Sequence, residues 1–514
     1  MLVVTPPEGA DAYPTHTQSS KSSDKGTSSA AFPGPGNTRR GPGREVIRRR
    51  PRKTRVINCP PPVEHRSSPS PLDHARLFVL AFAVLLLLGS VLLLTPWATQ
   101  SGQTTNVYDA LFTAVSAAAV TGLVTVNTST HWSFFGQVII LSLIQLGGLG
   151  FMVGTSLVLA LLRRGGSLRS TMLMRDSSPT LTLREAADFS GRIVRFTVVV
   201  EAVGAALLTL YFWLRVGMTF PHALWHGLFL SVAAFCNAGF DLSPNFQSLI
   251  PYDDAVIPNV VIALLIQAGA LSYIVFHDLW THRSWERLAL DTKLILSVNG
   301  VLVVGGALIF AATEWSASLA NMPLWARPMG AVFQSIAART AGFTTVNFGQ
   351  AVTVTLLIWL GLMAIGGAAG STAGGVHLTT VGVVGTAVVS ALRGHSEIEI
   401  FGRRINPALV FRSMAVIALY LVFYLLVTVS LVISEAALLG DRFSVAALMF
   451  EAMSALATVG LSAGMTPELS DAGKVILALA MFMGRVGPLT VAYALQGHQR
   501  SLRYRFTEEP IRLG

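Results

Sequence analysis

The sequence predicts an all-α integral membrane fold in which four repeats of helix, half-helix, loop and helix surround a common axis. Three observations predict this fold. First, hydrophobic residues make up 52% of the 514 residues and charged residues only 12%, against about 25% charged residues in soluble domains. Second, apolar runs long enough to cross a bilayer recur along the chain, and they are continuous, as in helices. Third, a short glycine-containing segment occurs four times.

Residues 1–71 form a polar tail that we predict to be disordered and cytoplasmic. The tail carries twelve Lys/Arg and five Asp/Glu, so it supplies +7 of the formal net charge of +10. A basic arm beside a membrane span typically marks the cytoplasmic side and touches anionic lipid. We therefore expect membrane lipid, and not nucleic acid, as its partner. Cys59 in this tail and Cys236 in an apolar segment predict neither a disulfide nor a zinc site.

The repeat is marked by four glycine segments, each placed between a short apolar run and a long one. Their glycines are 117, 103 and 118 residues apart. The repeats are predicted at residues 72–165, 166–280, 281–395 and 396–498, and a cytoplasmic C-terminus follows at 499–514. The glycine segments are Val120-Thr121-Gly122, Asn237-Ala238-Gly239, Thr340-Ala341-Gly342 and Thr458-Val459-Gly460.

Each repeat has the same order of elements. A long span is followed by a shorter run, such as Val107 to Ala117 or Phe443 to Ala455, then by the glycine segment and a second long span. This order predicts eight transmembrane helices and four re-entrant half-helices. Arg and Lys concentrate in the connections between repeats, which places these connections and both termini in the cytoplasm. The glycine segments then open to the outside of the plasma membrane.

The glycine segments have the composition expected of a cation pathway. Irregular backbone at membrane depth is tolerated only where protein or water satisfies its polar groups, so four re-entrant loops imply a central pore. Glycine permits backbone angles that let carbonyl oxygens point at one axis. A ring of carbonyls can replace the hydration shell of an alkali ion. For a single segment the alternative is a helix C-cap, but four segments in register argue against that interpretation.

The third repeat contains a candidate gate. From Ala351 to Leu392 the chain carries no formal charge, and as a single helix this stretch would be about 63 Å long. A break is therefore predicted at a group of small residues, where a loop below the glycine segments could occlude the pore. Close helix packing by small residues is the alternative. The candidate gate residues are Gly366, Gly367, Gly370, Ser371, Thr372, Gly374 and Gly375.

Arg485 lies inside the last apolar span, where a charge is costly unless it faces water or an acid. Beneath the glycine segments it would act as an electrostatic barrier to cations. The alternative is a buried ion pair with Glu451 or Asp109. Glu451 belongs to the fourth half-helix, and we expect it to anchor the glycine segment that follows.

The four glycine segments, the stretch from Ile365 to Gly375 and Met483-Gly-Arg-Val-Gly-Pro488 resemble the Trk/Ktr/HKT superfamily of potassium transporters, most closely the Ktr-type membrane subunit. The resemblance covers about Leu72 to Gly514. It implies K⁺ uptake through a four-glycine selectivity filter and a gate in the third repeat. It also implies a homodimer, a cytoplasmic nucleotide-binding regulatory ring, Na⁺ as a candidate activator and no covalently bound cofactor. Gly122 favours K⁺, because related members that tend toward Na⁺ carry Ser at this position.

Two departures from the family pattern are visible. Relatives commonly have a lysine after the last glycines, where this chain has Val376-His377. In the second repeat, Gln267 to Ser272 replaces the more glycine-rich Gln145 to Gly150 of the first repeat, and we expect this region to serve helix packing.

Three other functions are alternatives to a K⁺ pathway. A membrane enzyme is not expected, because the sequence has no metalloprotease, serine hydrolase or Walker-type motif. A solute symporter with inverted repeats would alternate the side on which equivalent loops lie, whereas these four loops share one side. A Na⁺-conducting or weakly selective cation channel of the same fold stays open as the nearest alternative.

Overall fold

The computed structural model describes residues 71–164, 183–394, 397–436 and 444–487, which are mostly helical. Apart from Pro71, the predicted tails at 1–71 and 499–514 lie outside the described residues, as does Pro488. The α-helices are α1 (Pro71–Leu93), α2 (Val107–Ala118), α3 (Thr128–His131), α4 (Phe134–Arg164), α5 (Leu183–Tyr211), α6 (Phe220–Cys236), α7 (Val256–Ala270), α8 (Tyr273–His282), α9 (Leu290–Glu314), α10 (Arg327–Ala337), α11 (Thr353–Ala364), α12 (Leu378–Leu392), α13 (Pro407–Glu435), α14 (Val445–Leu456) and α15 (Asp471–Val486).

Smaller elements connect these helices. A two-residue hairpin pairs β1 (Glu399–Ile400) antiparallel with β2 (Arg403–Arg404). A π-helical turn, Phe212–Val216, extends α5. The 3₁₀ turns are Pro96–Ala98, Pro244–Phe246, Ile250–Tyr252, Trp285–Arg287, Ser318–Asn321, Phe348–Gln350 and Thr466–Glu468.

The elements follow the predicted order four times. Helices α1, α5, α9 and α13 are the long first helices, and α2, α6, α10 and α14 are short helices of 12, 17, 11 and 12 residues. The second helix is α4 in the first repeat and α15 in the fourth. In the second and third repeats it is divided, into α7 with α8 and α11 with α12. The helix–short helix–helix arrangement expected from the sequence is therefore present.

Among the described residues, four helical stretches are long and apolar enough to cross a membrane: Phe134–Gly154, Asp188–Val216, Leu290–Glu314 and Pro407–Glu435. The bent pair Val256–Ala270 and Ser272–His282 is a fifth candidate if it counts as one span. Large apolar side chains on these helices face outward, for example Val301 with 72% and Leu308 with 67% of the side chain exposed. Such faces suit contact with lipid. The count of eight spans stays a prediction.

Helix starts follow from local chemistry. Asn106 accepts a hydrogen bond from the backbone N–H of Tyr108 at the start of α2, and Ser444 accepts one from Ala447 at the start of α14. Asn406 caps α13, whose first residue is Pro407. Asn and Ser before a helix satisfy N–H groups that have no partner inside the helix, and proline suits the first helical position.

The second helix of each repeat contacts the short helix of the next repeat, so the four repeats close into a ring. Helix α4 contacts α6, α7 contacts α10, α11 contacts α14, and α15 contacts α2. In three repeats, a glycine of the second helix packs against a backbone carbonyl group near the end of the short helix of the same repeat. The carbonyl groups are those of Ala118, Phe235 and Leu456, in chain order. A β-carbon on these glycines, which are Gly147, Gly269 and Gly484, would clash with that carbonyl.

Two of the second helices are broken. In the third repeat α11 ends at Ala364 and α12 begins at Leu378, which confirms the break predicted there. We call residues 365–377 the 365–377 loop. In the second repeat α7 and α8 are bent by 94°, at Ser272, whose φ is 72° and whose hydroxyl caps Ile274. This second break was not predicted from the sequence.

Candidate functional site

Each glycine segment leaves its short helix through the same backbone conformation. The first and the third residue of every segment have positive φ values, and the first residue is never glycine. The pairs are Val120 (58°) with Gly122 (94°), Asn237 (61°) with Gly239 (66°), Thr340 (63°) with Gly342 (76°), and Thr458 (52°) with Gly460 (92°). A non-glycine residue at positive φ is uncommon and needs support from its surroundings. Four such residues at equivalent positions indicate one repeated loop geometry.

Hydrogen bonds from the loop back to the short helix hold this conformation. The N–H of Thr121 donates to the carbonyl of Ser116 over 2.8 Å, and the N–H of Gly122 donates to the Ser116 hydroxyl over 3.1 Å. Ser454 accepts the same two bonds, from Val459 over 2.8 Å and from Gly460 over 3.0 Å. A bond from the residue after a left-handed position to a carbonyl five residues back is the helix-ending pattern of a Schellman motif.

The four glycines lie against one another around a common axis. A β-carbon on Gly239 would lie 2.9 Å from the Cα of Gly342, and one on Gly342 would lie 3.1 Å from the Cα of Gly460. A β-carbon on Gly122 would lie 2.9 Å from the Cα of Gly239. Any side chain at these positions would therefore enter its neighbours, so only glycine fits.

The ring is also defined by the middle residue of each segment. A β-carbon on each glycine would meet the carbonyl oxygen of the middle residue of a neighbouring segment. Gly122 faces Ala238, Gly239 faces Ala341, Gly342 faces Val459 and Gly460 faces Thr121. The contacts run from segment to segment in chain order and close from the fourth to the first. The arrangement gathers backbone carbonyl groups of all four segments in one place, which is the chemistry that replaces the hydration shell of an alkali cation.

The side chains of the glycine segments are buried behind this backbone ring. Asn237, with its amide oriented to match its neighbours, donates to the carbonyls of Ala234 over 3.0 Å and Ile266 over 3.2 Å. Its side chain therefore braces the second segment against α7. The hydroxyls of Thr121, Thr340 and Thr458 have no hydrogen-bond partner within the described part of the chain.

A cavity of about 540 Å³ adjoins the ring on the side of the loops that follow the glycine segments. All four glycines line it, and its charged lining residues are Asp241 and Asp253, both from the second repeat. Asp241 accepts a 2.8 Å hydrogen bond from the N–H of Ser243. Burial raises the pKa of the Asp241 carboxyl from 3.8 to about 6, although hydrogen bonds from Ser243 and Ser248 oppose the rise. Asp241, two residues after Gly239, was not among the predicted site residues.

The 365–377 loop crosses from the third repeat to its neighbours. Its backbone N–H groups donate to the end of α7: Ala368 to Ala270 over 2.8 Å and Thr372 to Gly269 over 3.2 Å. The Thr372 hydroxyl donates to the carbonyl of Phe235 over 3.1 Å. Toward the fourth repeat, a β-carbon on Gly374 would clash with the hydroxyl of Thr458. The loop is therefore packed directly against a glycine segment.

Within the loop, the predicted gate residues have different environments. Gly366 donates to the carbonyl of Val376 over 2.9 Å, and Gly367 accepts from Leu378 over 2.9 Å. Gly370 and Gly375 have φ values of 79° and 68°. The Ser371 hydroxyl accepts from the N–H of Ala373 over 3.3 Å. These hydrogen bonds thus fix the conformation of the loop that contains all seven predicted gate residues.

Arg485 is 1% exposed and joins three repeats. It donates from Nη1 to the carbonyl of Thr372 over 2.5 Å and from Nη2 to the carbonyl of Gly147 over 3.1 Å. Its guanidinium carbon lies 4.4 Å from the centre of the Phe151 ring. The acids considered as its partners are engaged elsewhere: Asp109 pairs with Lys474 at 2.8 Å, and Glu451 binds the loop after the fourth glycine segment. Among the described residues, Arg485 therefore contacts the 365–377 loop and pairs with no acid.

Glu451 holds the loop that follows Gly460, as expected from the sequence. One carboxylate oxygen accepts from the Ser462 hydroxyl over 2.6 Å and from the N–H of Ala463 over 2.9 Å. The other accepts from the Thr466 hydroxyl over 2.6 Å. Bonds to a carboxylate are among the stronger hydrogen bonds in proteins, so Glu451 fixes the loop that follows the fourth segment.

Comparisons with known proteins agree on one family. The model of the family described as TrkH, cation transport protein, matches residues 63–499. The potassium/sodium uptake protein NtpJ of Enterococcus hirae is 34% identical over 446 residues, covering 86% of this chain and 98% of that protein. The Ktr system potassium uptake protein B of Bacillus subtilis is 34% identical over 432 residues, covering 84% and 94%. Among solved structures, the potassium transporter TrkH from Vibrio parahaemolyticus matches with a TM-score of 0.66 at 19% identity, covering 84% and 87%.

Proposed function

The chain belongs to the TrkH family of membrane cation transport proteins, and from this premise we propose that it takes up K⁺ across the plasma membrane through a selectivity filter made of the four glycine segments. The observation that carries the proposal is the closed ring in which each glycine faces the middle carbonyl group of a neighbouring segment. Carbonyl oxygens at this density supply the partial negative charge that a dehydrated alkali ion requires. The C-terminal ends of the four short helices add a negative dipole potential at the same place.

The candidate gate is the 365–377 loop. Its packing beneath Thr458 and its bonds to Gly269 and Ala270 support a closed position directly below the filter. Arg485 donates to the loop carbonyl of Thr372, which supports a role for this hydrogen bond in holding the loop, and we propose that its charge acts as the electrostatic barrier. A cation that approaches from the filter meets both a steric and an electrostatic barrier. Opening then requires the loop to leave Arg485.

The assembly proposed for this chain rests on the family. We propose a homodimer in the plasma membrane, with both termini in the cytoplasm and a cytoplasmic nucleotide-binding ring that controls the gate. Three relatives are named as members of Ktr systems, which supports a partner subunit. Na⁺ is proposed as an activator and not as a bound cofactor.

A Na⁺-conducting or weakly selective pathway is the second candidate, and one observation favours it: the relative from Enterococcus hirae is named as a potassium/sodium uptake protein. The two candidates share the ring and differ in carbonyl geometry, which sets selectivity. Gly122 at the first segment supports K⁺.

The test is ion uptake in cells that lack their own K⁺ uptake, with wild type and Gly122→Ser compared for Rb⁺ and Na⁺ influx. Selective Rb⁺ influx in the wild type that is lost in the variant is the expected result, because a serine side chain at Gly122 would displace the Ala238 carbonyl. If neither ion enters, with the cognate regulatory subunit present, the uptake proposal is wrong. Equal Rb⁺ and Na⁺ influx in the wild type would establish the second candidate.

A further inference from the structure

The third glycine segment differs from the others in the residue that precedes it. Ala119, Cys236 and Ala457 occupy this position in repeats one, two and four, whereas the third repeat has Arg339. The Arg339 side chain is only 3% exposed. A buried charge at membrane depth is costly and usually has a function.

No acid faces Arg339 among the described residues. Its Nη1 donates to the amide oxygen of Asn299 on α9 over 2.5 Å, and its Nε and Nη2 have no partner in the described part of the chain. The C-terminal end of α10 carries partial negative charge, which stabilises a cation there. The guanidinium therefore has spare donors and a single side-chain partner, an arrangement that can change partners without breaking an ion pair.

Asn299 also binds a residue of the second repeat. Its amide nitrogen donates to Oε1 of Gln267 on α7 over 3.1 Å. Gln267 lies two residues before Gly269 and three before Ala270, whose carbonyls accept the N–H groups of Thr372 and Ala368 in the 365–377 loop. Two side-chain hydrogen bonds, followed by two to three residues of α7 backbone, therefore connect the residue before the third glycine segment to the two carbonyls that anchor the loop.

We propose that Arg339, Asn299 and Gln267 form a relay that couples the third glycine segment to the anchorage of the 365–377 loop, with Arg339 as the positioning residue. The inference rests on the proposed function, since it assigns the coupling between that filter and that gate. When the loop leaves Gly269 and Ala270, the end of α7 is freed and Gln267 shifts. Asn299 then changes its hold on Arg339, which is bonded directly to Thr340 of the filter.

The decisive variant is Gln267→Met, because the hydrogen bond of the Gln267 side chain among the described residues is the one from Asn299, and methionine has a similar shape. In proteoliposomes containing the full chain, we expect the Rb⁺/Na⁺ influx ratio to fall by at least about fivefold, the lower range of measured coupling between sites. Arg339→Gln is expected to do the same, and the double variant to be no worse than either single variant. Arg339→Lys keeps a cationic donor and should restore part of the ratio.

Arg327→Gln is the matched control, because Arg327 lies at the opposite end of α10 from Arg339. There it binds the carbonyls of Trp315, Ala320 and Met322. It should leave the ratio unchanged. The relay is wrong if Gln267→Met leaves the ratio unchanged, or if the effects of the two single variants multiply in the double variant. If Arg339→Gln does not fold, Gln267→Met decides the question by itself. Absence of influx in the wild type, with the cognate regulatory subunit present, would instead refute the proposed function.

Discussion

At the scale of single residues, each glycine of the ring is required for two separate reasons. Its φ is positive, which costs an alanine about 1 kcal/mol, and its missing side chain lets a neighbouring carbonyl approach. The first reason is readable from a sequence pattern, since glycine after a short helix predicts a left-handed residue. The second reason depends on which segment lies next to which. The four glycines could therefore be predicted from the sequence, but the carbonyl that each one faces could not.

Asp241 and Asp253 are the charged residues that line the cavity outside the ring, and we predict that Asp241 recruits the transported cation. Asp241→Asn should raise the half-saturating Rb⁺ concentration by roughly fivefold, which corresponds to the interaction of about 1 kcal/mol between two close charges in water. The maximal rate should change little. Influx measured against Rb⁺ concentration checks the prediction, and added impermeant salt should shrink the difference because it screens the charge.

Asp253→Asn is the matched control for Asp241. It removes one negative charge from the lining of the same cavity. Asp241, unlike Asp253, also lines a second, smaller cavity together with Gly122 and Gly239. We expect a smaller effect from Asp253→Asn. An unchanged half-saturating concentration in Asp241→Asn would show that the carboxylate does not recruit the ion.

The Glu451 carboxylate is predicted to stabilise the fold more than an exposed acid does. Glu451→Gln should lower the free energy of unfolding by about 2 kcal/mol, because buried hydrogen bonds from Ser462, Ala463 and Thr466 lose their charged acceptor. Thermal unfolding in detergent measures the change, with the exposed Glu399→Gln as control. Equal melting temperatures for the two variants would contradict the anchoring role.

At the scale of elements, the short helices were predicted well and the broken helices only in part. The predicted run from Val107 to Ala117 became α2, Val107–Ala118, because a capping Asn and a final glycine segment mark its ends. The break in the third repeat was predicted from five clustered glycines. The 94° bend at Ser272 was not, because Gly269 is a single glycine among good helix formers there, and the end of α7 is bonded to the 365–377 loop, which is distant in sequence.

The gate role of the 365–377 loop can be tested at Gly374. Gly374→Ala places a methyl group on the Thr458 hydroxyl, so the loop can no longer lie against the fourth glycine segment. We expect the basal influx of Rb⁺ into proteoliposomes, without any regulatory subunit, to rise several-fold. Gly385→Ala in α12 is the control, since a β-carbon there meets no atom within 4 Å. A basal rate in Gly374→Ala equal to or below that of the control would rule out the gate.

At the scale of the whole molecule, the repeat was readable because glycine and short apolar runs recur at near-equal spacing. Closure of the ring was only a possibility at that stage, because no pattern within one repeat states which neighbour it contacts. In the structure, contacts between α15 and α2 join the fourth repeat to the first and close the ring. The positions of the charged residues could not be predicted for the same reason: Arg485 meets carbonyls of Thr372 and Gly147, which are 113 and 338 residues away in sequence.

The orientation of the molecule can be tested with its own two cysteines. Cys236 is buried, so in a Cys236→Ser background only Cys59 of the basic tail remains. We predict that a membrane-impermeant maleimide labels Cys59 in inside-out vesicles and not in right-side-out vesicles, because the positive charge of the tail keeps it cytoplasmic. Labelling from the outside would reverse the proposed topology.

The claim that four backbone segments form one cation-selective ring is tested most directly by comparing Gly460→Ala with Gly464→Ala. Both glycines have a φ of 92°, so alanine causes similar backbone strain at both. Only Gly460 has neighbours, the carbonyl of Thr121 and the Cα of Gly342, whereas a β-carbon on Gly464 meets nothing within 4 Å. The measurement is the Rb⁺/Na⁺ influx ratio in proteoliposomes. We predict a large loss of the ratio in Gly460→Ala and a wild-type ratio in Gly464→Ala. An equal ratio in the two variants would contradict it.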